Sequence, residues 1–327
     1  MKRSVQRALV PALTLGFALT LSCSSPAPEK PAKTTKTVVF ISNSASDFWK
    51  VVRRGAEKAD TELNGVRVLF KMPFGGTWKE QDRLVMEALT RDGADAIAIS
   101  PIDPPSQKKS LNNAAKKALL ITQDSDAPDT DRVLYLGADN RDAGRQAGAL
   151  MKKALPQGGK VMVFVGKREV QNAQDRLAGL KESLQGSKVE ILDLMTDDND
   201  HVRAKDNAAE TLTKHPDLAG MIGLWSYNGP AILQAVKNAN KVGKVKIVCF
   251  DDEEDTLNGI KEGAIFGTVA QQPFEYGYRG VQTLVKILGG DRSMIPGDKQ
   301  VLIPTVIVER ANLEDYRNKL SQMLAAK

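Results

Sequence analysis

The sequence predicts an α/β protein made of two doubly wound, mostly parallel sheets. Three observations carry that reading. From residue 37 onward, short β-branched and aliphatic runs alternate with amphipathic stretches of helical period. The alternation passes through two successive series, the second opening with a helix at 140–154. The strand runs are apolar on both faces, as in sheets covered by helices on each side. A chain of 327 residues is long enough for two such cores.

The first series opens with Val38, Val39, Phe40 and Ile41, a buried-strand composition. Within two residues it turns to Ser42, Asn43, Ser44 and Ser46, then Asp47, Phe48 and Trp49. A helix follows over about 47–63, on which Phe48, Val52, Gly55, Ala59 and Leu63 share one face. A strand is expected at 66–70 and a helix at 81–89, started near Thr77 with Glu80 three residues on. Strand 94–99, helix 106–117 and strands 119–122 and 133–136 complete the series.

In the second series, helix 140–154 is stopped by Pro156-Gln157-Gly158-Gly159. Strand 161–165, helix 172–184, strand 189–192 and helix 201–214 follow, then strand 221–224 and helix 229–240. Strand 245–250, helix 254–262, strand 265–269 and helix 276–288 come next, the last closed by Gly289-Gly290. A final strand is expected at 301–308 and a terminal surface helix at 312–326.

Residues 1–22 read as a secretory signal, with Lys2, Arg3 and Arg7 ahead of an apolar stretch at 9–21 too short to span a membrane comfortably. Leu19-Thr20-Leu21-Ser22-Cys23 resembles a bacterial lipoprotein cleavage box, with Thr20 where a Leu is usual. Lipidation of Cys23 is the expectation; plain secretion and an uncleaved anchor are the alternatives. Residues 23–36, rich in Pro, Lys, Ser and Ala, read as a tether. Without the three leader cations the formal charge falls from +6 to about +3, and no basic stripe with interleaved aromatics exists, so nucleic acid is not an expected partner.

In doubly wound sheets, ligands sit beyond the carboxyl ends of the strands. Those ends carry Ser42, Ser46, Phe48 and Trp49; then Asp124 and Ser125; then Asn172 and Arg176 at a helix start. Trp225, Ser226, Tyr227 and Asn228 follow, then Asp251 and Asp252, then Gln271. Carboxylates accept hydroxyl protons, Arg and amides donate, and flat aromatics cover C–H faces, a mixture suited to a sugar. Singly, each residue has a blander reading: Asp251 as a helix N-cap, Phe48 or Trp49 as core, Arg176 as a surface or ion-pair residue.

At these residues the sequence resembles the periplasmic sugar-binding proteins of the ribose-binding type, whose type I periplasmic binding protein fold is shared with the ligand domains of lactose-repressor-type regulators. The likeness spans about residues 37–310 and is carried by ISNSASDFW, AIAISPIDP, LLITQDSDA, GADNRDAGRQAG, NAQDRLAGL, KHPDLAG, VCFDDEEDTLNGIKEG and GTVAQQPFEYGYRG in that order. The resemblance implies hydroxyl contacts at Ser42, Asp124, Arg176, Asp251 and Gln271 and ring contacts at Phe48 and Trp49. It departs at Ser46, where the pattern has Asn; at Ser125, where it has Arg; at Asn199, where it has an aromatic; and at Trp225, where it has Asn. With Ser46, Ser125, Trp225 and Asn228 included in the expected ligand set, the departures imply a monosaccharide or polyol other than ribose.

The resemblance further implies three crossings, near Ala138-Asp139, Gln271-Gln272 and Ile303-Pro304, that form a hinge. The domains would be 37–138 plus 272–303 and 139–271 plus 304–327, closing on the ligand. An ABC permease in the membrane is the implied partner and the periplasm or cell surface the implied location, for a lipid-anchored monomer without cofactor.

Enzymatic chemistry finds little footing. His201 and His215 have no nearby His or Cys partner, and Cys249 lies in a strand run. The acidic run 251–255 with Glu262 mimics a calcium loop but has Thr256 in place of the turn Gly. Neither Gly-Gly pair is followed by Gly-Lys-Ser/Thr, so there is no phosphate loop. No metal site is expected. The expected function is an extracytoplasmic solute-binding lipoprotein delivering a sugar to an ABC-type importer. A sugar sensor component for chemotaxis or a sensor kinase, and a secreted enzyme on the same fold, are the alternatives.

Overall fold

A computed structural model describes residues 35–325. The leader, Cys23 and the tether as far as residue 34 lie outside the described residues, while Lys36 already pairs with Val66 in a sheet.

The chain runs β1 (Lys36–Ile41), α1 (Asp47–Glu62), β2 (Val66–Lys71), α2 (Trp78–Thr90), β3 (Ala96–Ile99), α3 (Pro104–Ala115), β4 (Leu119–Gln123) and β5 (Leu134–Gly137). It continues α4 (Asn140–Ala154), β6 (Gly159–Val165), α5 (Gln171–Leu184), β7 (Val189–Thr196), α6 (His201–Lys214), β8 (Gly220–Gly223) and α7 (Asn228–Asn238). Then come β9 (Lys246–Phe250), α8 (Glu254–Glu262), β10 (Gly267–Ala270), α9 (Pro273–Leu288), β11 (Gln300–Leu302), β12 (Val306–Glu309) and α10 (Leu313–Ala325).

Two six-stranded sheets result. The first has order β11-β5-β4-β3-β1-β2 and is parallel throughout. The second has order β12-β10-β9-β8-β6-β7 and is parallel apart from its edge strand β12. The two-fold period of a strand divides each apolar run between the two faces of its sheet. Val38 and Phe40 join the core under α1 and α9, while Val39 and Ile41 join the core on the opposite face. In β6, Met162 and Phe164 face one core and Val161, Val163 and Val165 the other. Such runs are apolar throughout because both faces are dry.

The expected single strand at 301–308 is two strands. Gln300–Leu302 pairs parallel with β5 in the first sheet, and Val306–Glu309 pairs antiparallel with β10 in the second. Pro304, between them, has no N–H for a ladder, so the run breaks there and each piece completes a different sheet edge. The chain therefore passes between the sheets after β5, after β10 and between β11 and β12. At these passages the Ile303 N–H donates to Gly137 O (2.8 Å) and Gln272 Nε2 to Pro304 O (2.7 Å).

The helix at 78–90 starts as expected: Thr77 caps it by accepting from the Glu80 N–H at 3.2 Å. The Glu80 carboxylate does not return the bond to the cap but accepts from Phe74 and Gly75 N–H instead.

Two helix pairs pack backbone against backbone. A Cβ on Gly55 of α1 would fall 2.0 Å from Phe274 O of α9, and one on Gly144 of α4 would fall 2.1 Å from Arg176 O of α5. The second approach sets the position of Arg176.

Candidate ligand-binding site

A cavity lies where strand ends of the two sheets face each other, the place where doubly wound sheets hold ligands. Of the expected residues, Ser46, Phe48, Trp49, Asp124, Arg176, Trp225, Asp251 and Gln271 line it. They come from both sheets and from the segments joining them.

Three expected residues do not line it. The Ser42 hydroxyl is fully buried and donates to Ser44 O at 2.7 Å, bracing the loop after β1. Ser125 is buried and accepts from the Asn172 N–H at 3.4 Å. Asn228, at the start of α7, accepts from the Trp225 N–H (3.0 Å) and donates to Asp197 (3.1 Å). All three are strand-end polar groups, but Ser42 and Asn228 spend their hydrogen bonds on shaping loops and Ser125 meets the start of α5 from the other sheet.

Asn43, Ser44, Asn172, Ser226 and Tyr227 line the cavity and were not in the expected set. Each sits at a strand end or the first turn after it, so position alone carried the signal. What separates them from Ser42 and Asn228 is the direction of a loop, which strand–helix alternation does not encode.

Asp124 and Asp251 directly follow β4 and β9, and both adopt left-handed backbone, φ 60° and 64°. Asp tolerates this region better than most residues, yet such outliers cost of order 1–3 kcal/mol and cluster at functional sites. Neither is a helix cap; Glu253 occupies the N-cap position of α8. Asp124 Oδ2 accepts from Ser100 Oγ (2.8 Å), Asn172 Nδ2 (3.2 Å) and Asn43 Nδ2 (3.3 Å). Asp251 Oδ1 accepts from the Gln271 Nε2 (3.0 Å) and N–H (3.3 Å), and Tyr276 Oη donates to Gln271 Oε1 (3.1 Å). Gln271 thus holds Asp251 as well as lining the cavity.

Arg176 is 1% exposed and follows Asn172 by one helical turn. Its Nε donates to Asn140 Oδ1 (2.9 Å), its Nη1 to Leu224 O (2.7 Å), and its guanidinium lies 4.4 Å from the Phe250 ring centre. Nη2 is buried and has no hydrogen-bond partner in the protein. A buried donor without an acceptor is costly, so this atom calls for an acceptor from a ligand.

Burial pushes the Asp124 carboxyl up to about 6, opposed by the Arg176 charge and the Ser100 and Asn172 hydrogen bonds. Burial likewise raises Asp251, opposed by Arg176 and Gln271. Beside them, burial carries Glu253 up to about 7, against a hydrogen bond from Ser226.

The aromatic residues divide. Trp49 is 2% exposed and packs in the first core against Phe48 and Phe70 while also lining the cavity. Phe48 and Trp225 are half-buried, so they present more open ring surface. Among the described residues, no group of three or more His, Cys, Asp or Glu is placed to hold a metal ion. His201 stacks on Tyr227 with ring centres 4.4 Å apart.

Two doubly wound sheets, three passages between them and a polar-aromatic cavity at facing strand ends define a type I periplasmic binding protein. The chain belongs to the periplasmic binding protein family, whose domain matches residues 37–292, and is of the ribose-binding type. Among its relatives are the D-ribose/D-allose-binding protein of Pseudomonas aeruginosa, 27% identical over 94% of this chain and 99% of that one. The ribose import binding protein of Haemophilus influenzae is 29% identical over 90% and 98%. Among solved structures, an ABC transporter solute-binding protein of Burkholderia graminis in complex with D-arabinose superposes with a TM-score of 0.82 at 28% identity, covering 87% of this chain and 98% of that one. One from Agrobacterium vitis bound to α-D-tagatopyranose gives 0.81 at 25% identity, covering 90% and 100%.

Proposed function

We propose that this protein captures a monosaccharide or polyol outside the cytoplasm and delivers it to an ABC-type importer. One observation carries the ligand class: Arg176, whose buried Nη2 has no partner in the protein, lines a cavity together with two buried aspartates and two half-buried aromatic rings. Asp124 and Asp251 accept hydroxyl protons, Arg176 donates to a ring or hydroxyl oxygen, and Phe48 and Trp225 cover C–H faces. A ligand lacking one hydroxyl would leave a buried charge unpaired, which is the source of selectivity. Relatives that bind D-ribose, D-allose, D-arabinose and D-tagatose support the class. Ser125 and Trp225, which stand where the ribose-type pattern has Arg and Asn, support a sugar other than ribose.

The lobes in this reading are 37–138 plus 272–303 and 139–271 plus 304–327, turning about the three passages between the sheets. Closure excludes water from the charged groups and presents one shape to a permease. Cys23 carries the lipid anchor, the residues between it and β1 the tether, and the protein works as a monomer at a bacterial membrane surface. It binds and does not turn its ligand over.

The test is thermal denaturation of the full chain, purified with detergent from a bacterial host, against pentoses, hexoses, polyols and amino acids. A carbohydrate should raise the melting temperature in proportion to occupancy. Stabilisation by amino acids alone, or chemical conversion of the bound sugar, overturns the reading.

A further inference from the structure

Both tryptophans at the cavity hang on one carboxylate oxygen. In the first lobe, Trp49 Nε1 donates to Asn43 Oδ1 (2.8 Å), and Asn43 Nδ2 donates to Asp124 Oδ2 (3.3 Å). In the second, Trp225 Nε1 donates to Asn172 Oδ1 (3.1 Å), and Asn172 Nδ2 donates to the same Asp124 Oδ2 (3.2 Å). The first arm lies within one lobe. The second crosses the cleft, since Asn172 lies in the first turn of α5 and Asp124 directly follows β4, and the Asn172 N–H reaches Ser125 Oγ as well.

The chemistry of this crossing is demanding. An indole N–H only donates and an ionised carboxylate only accepts, so the group between them must accept on one side and donate on the other. An amide does both. Asn172 is 3% exposed, and the Trp225 ring it holds also packs on Gly166, where a Cβ would fall 2.0 Å from the ring. The backbone side of Trp225 is fixed within its own lobe by Asn228, while its indole N–H leads through Asn172 to the carboxylate across the cleft.

We propose that Asn172 is a positioning residue that couples closure of the lobes to the setting of the second aromatic wall. Opening parts Nδ2 from Asp124 and frees the amide to turn, which releases the Trp225 indole. Closing restores both bonds and sets the ring over the cavity. The fixed wall at Phe48 and Trp49 and the closure-dependent wall at Trp225 then meet a ligand ring in sequence. This rests on the sugar-binding reading and names the residue through which ring shape is coupled to closure.

The test uses the full chain with bio-orthogonal spin labels at Met86 on α2 and Val202 on α6, exposed positions on opposite lobes, to read interlobe distance without ligand. Asn172→Leu removes both bonds and should shift the distance distribution toward open at pH 8 and at pH 5. Asn172→Asp keeps the acceptor for Trp225 but faces Asp124 with a second carboxylate, so it should open at pH 8. At pH 5 the pair shares a proton, the bridge is restored, and the distribution should return toward that of the parent. Arg176, Asp251, Tyr135 and Tyr276 are the other ionisable groups coupled to Asp124, and they are unchanged in both variants. Parent-like distances in both variants at both pH values overturn the proposal, as does an Asn172→Asp variant that tracks Asn172→Leu at pH 5.

D-ribose, D-allose and D-arabinose are then titrated. Asn172→Leu should weaken binding about tenfold or more and shrink the ligand-linked tryptophan fluorescence change. Parent-like affinity with a full fluorescence change counts against the proposal. If none of the three binds the parent, the sugar reading fails for these ligands, and the interlobe distances alone decide the role of Asn172.

Discussion

Asp124→Asn is expected to stabilise the ligand-free protein while weakening ligand binding. The folded chain raises this carboxyl from 3.8 to about 6, so it holds its proton to higher pH than the unfolded chain does. Its contribution to stability is therefore fullest below about pH 4, declines as pH rises toward 6, and is absent above that. A rise of that size corresponds to about 3 kcal/mol. Asparagine stays neutral at every pH, tolerates the positive φ at this position, and its oxygen can accept from Ser100, Asn43 and Asn172 as Oδ2 does. At pH 7.5 the variant should gain up to about 3 kcal/mol; near pH 4.5 the gap should shrink to about 1 kcal/mol. Urea unfolding at the two pH values measures the difference, and sugar titration should show a loss of about 10- to 100-fold from the missing charged acceptor. A variant less stable than the parent at pH 7.5, or a gap that does not change with pH, would refute the claim that burial of this charge dominates its environment.

Gly144→Ala should cost about 1–3 kcal/mol in urea unfolding and weaken sugar binding as well, because the new methyl lands on the Arg176 carbonyl and displaces α5; parent-like affinity would break the link between that helix contact and the site. Phe48→Leu and Trp225→Leu should each weaken sugar binding roughly tenfold by calorimetry through loss of ring contact, with a smaller cost to ligand-free stability than truncation of a fully buried ring, since both are half-buried and pack on the cores. Cys249 is fully inaccessible and burial pushes its thiol well up, so a thiol reagent should modify it only in denaturant. Stoichiometric labelling of Cys249 in the native protein would contradict that burial.

Much of the fold was readable because strand–helix alternation writes itself in local periodicity. The runs at 38–41 and 161–165 are apolar at every position, and both faces of both strands are dry in the structure. The single strand expected at 301–308 failed for a non-local reason. Composition can mark Gln300–Leu302 and Val306–Glu309 as strand-forming, but which sheet has a free edge for each is decided by the rest of the chain.

The site divides in the same way. Residue type and strand-end position were enough to single out Asp124, Arg176, Trp225 and Asp251, because doubly wound sheets present ligand groups at those ends. They were not enough to separate Asn43 and Asn172 from Ser42 and Asn228, which have similar chemistry and similar positions. Ser42 and Asn228 turn inward to hold their loops, whereas Asn43 and Asn172 line the cavity and meet at one oxygen of Asp124.

The sequence by itself determined the α/β class, the two series of strands and the kind of groups at their ends, since each depends on neighbours within about one helical turn or one strand. Only the tertiary structure decided which of those groups share a cavity and that Arg176 keeps a buried nitrogen without a partner. The same holds for the amide of Asn172 crossing from one sheet's helix to the other sheet's carboxylate. Those facts depend on the directions of loops and the approach of helices far apart in sequence, set by packing against the whole core.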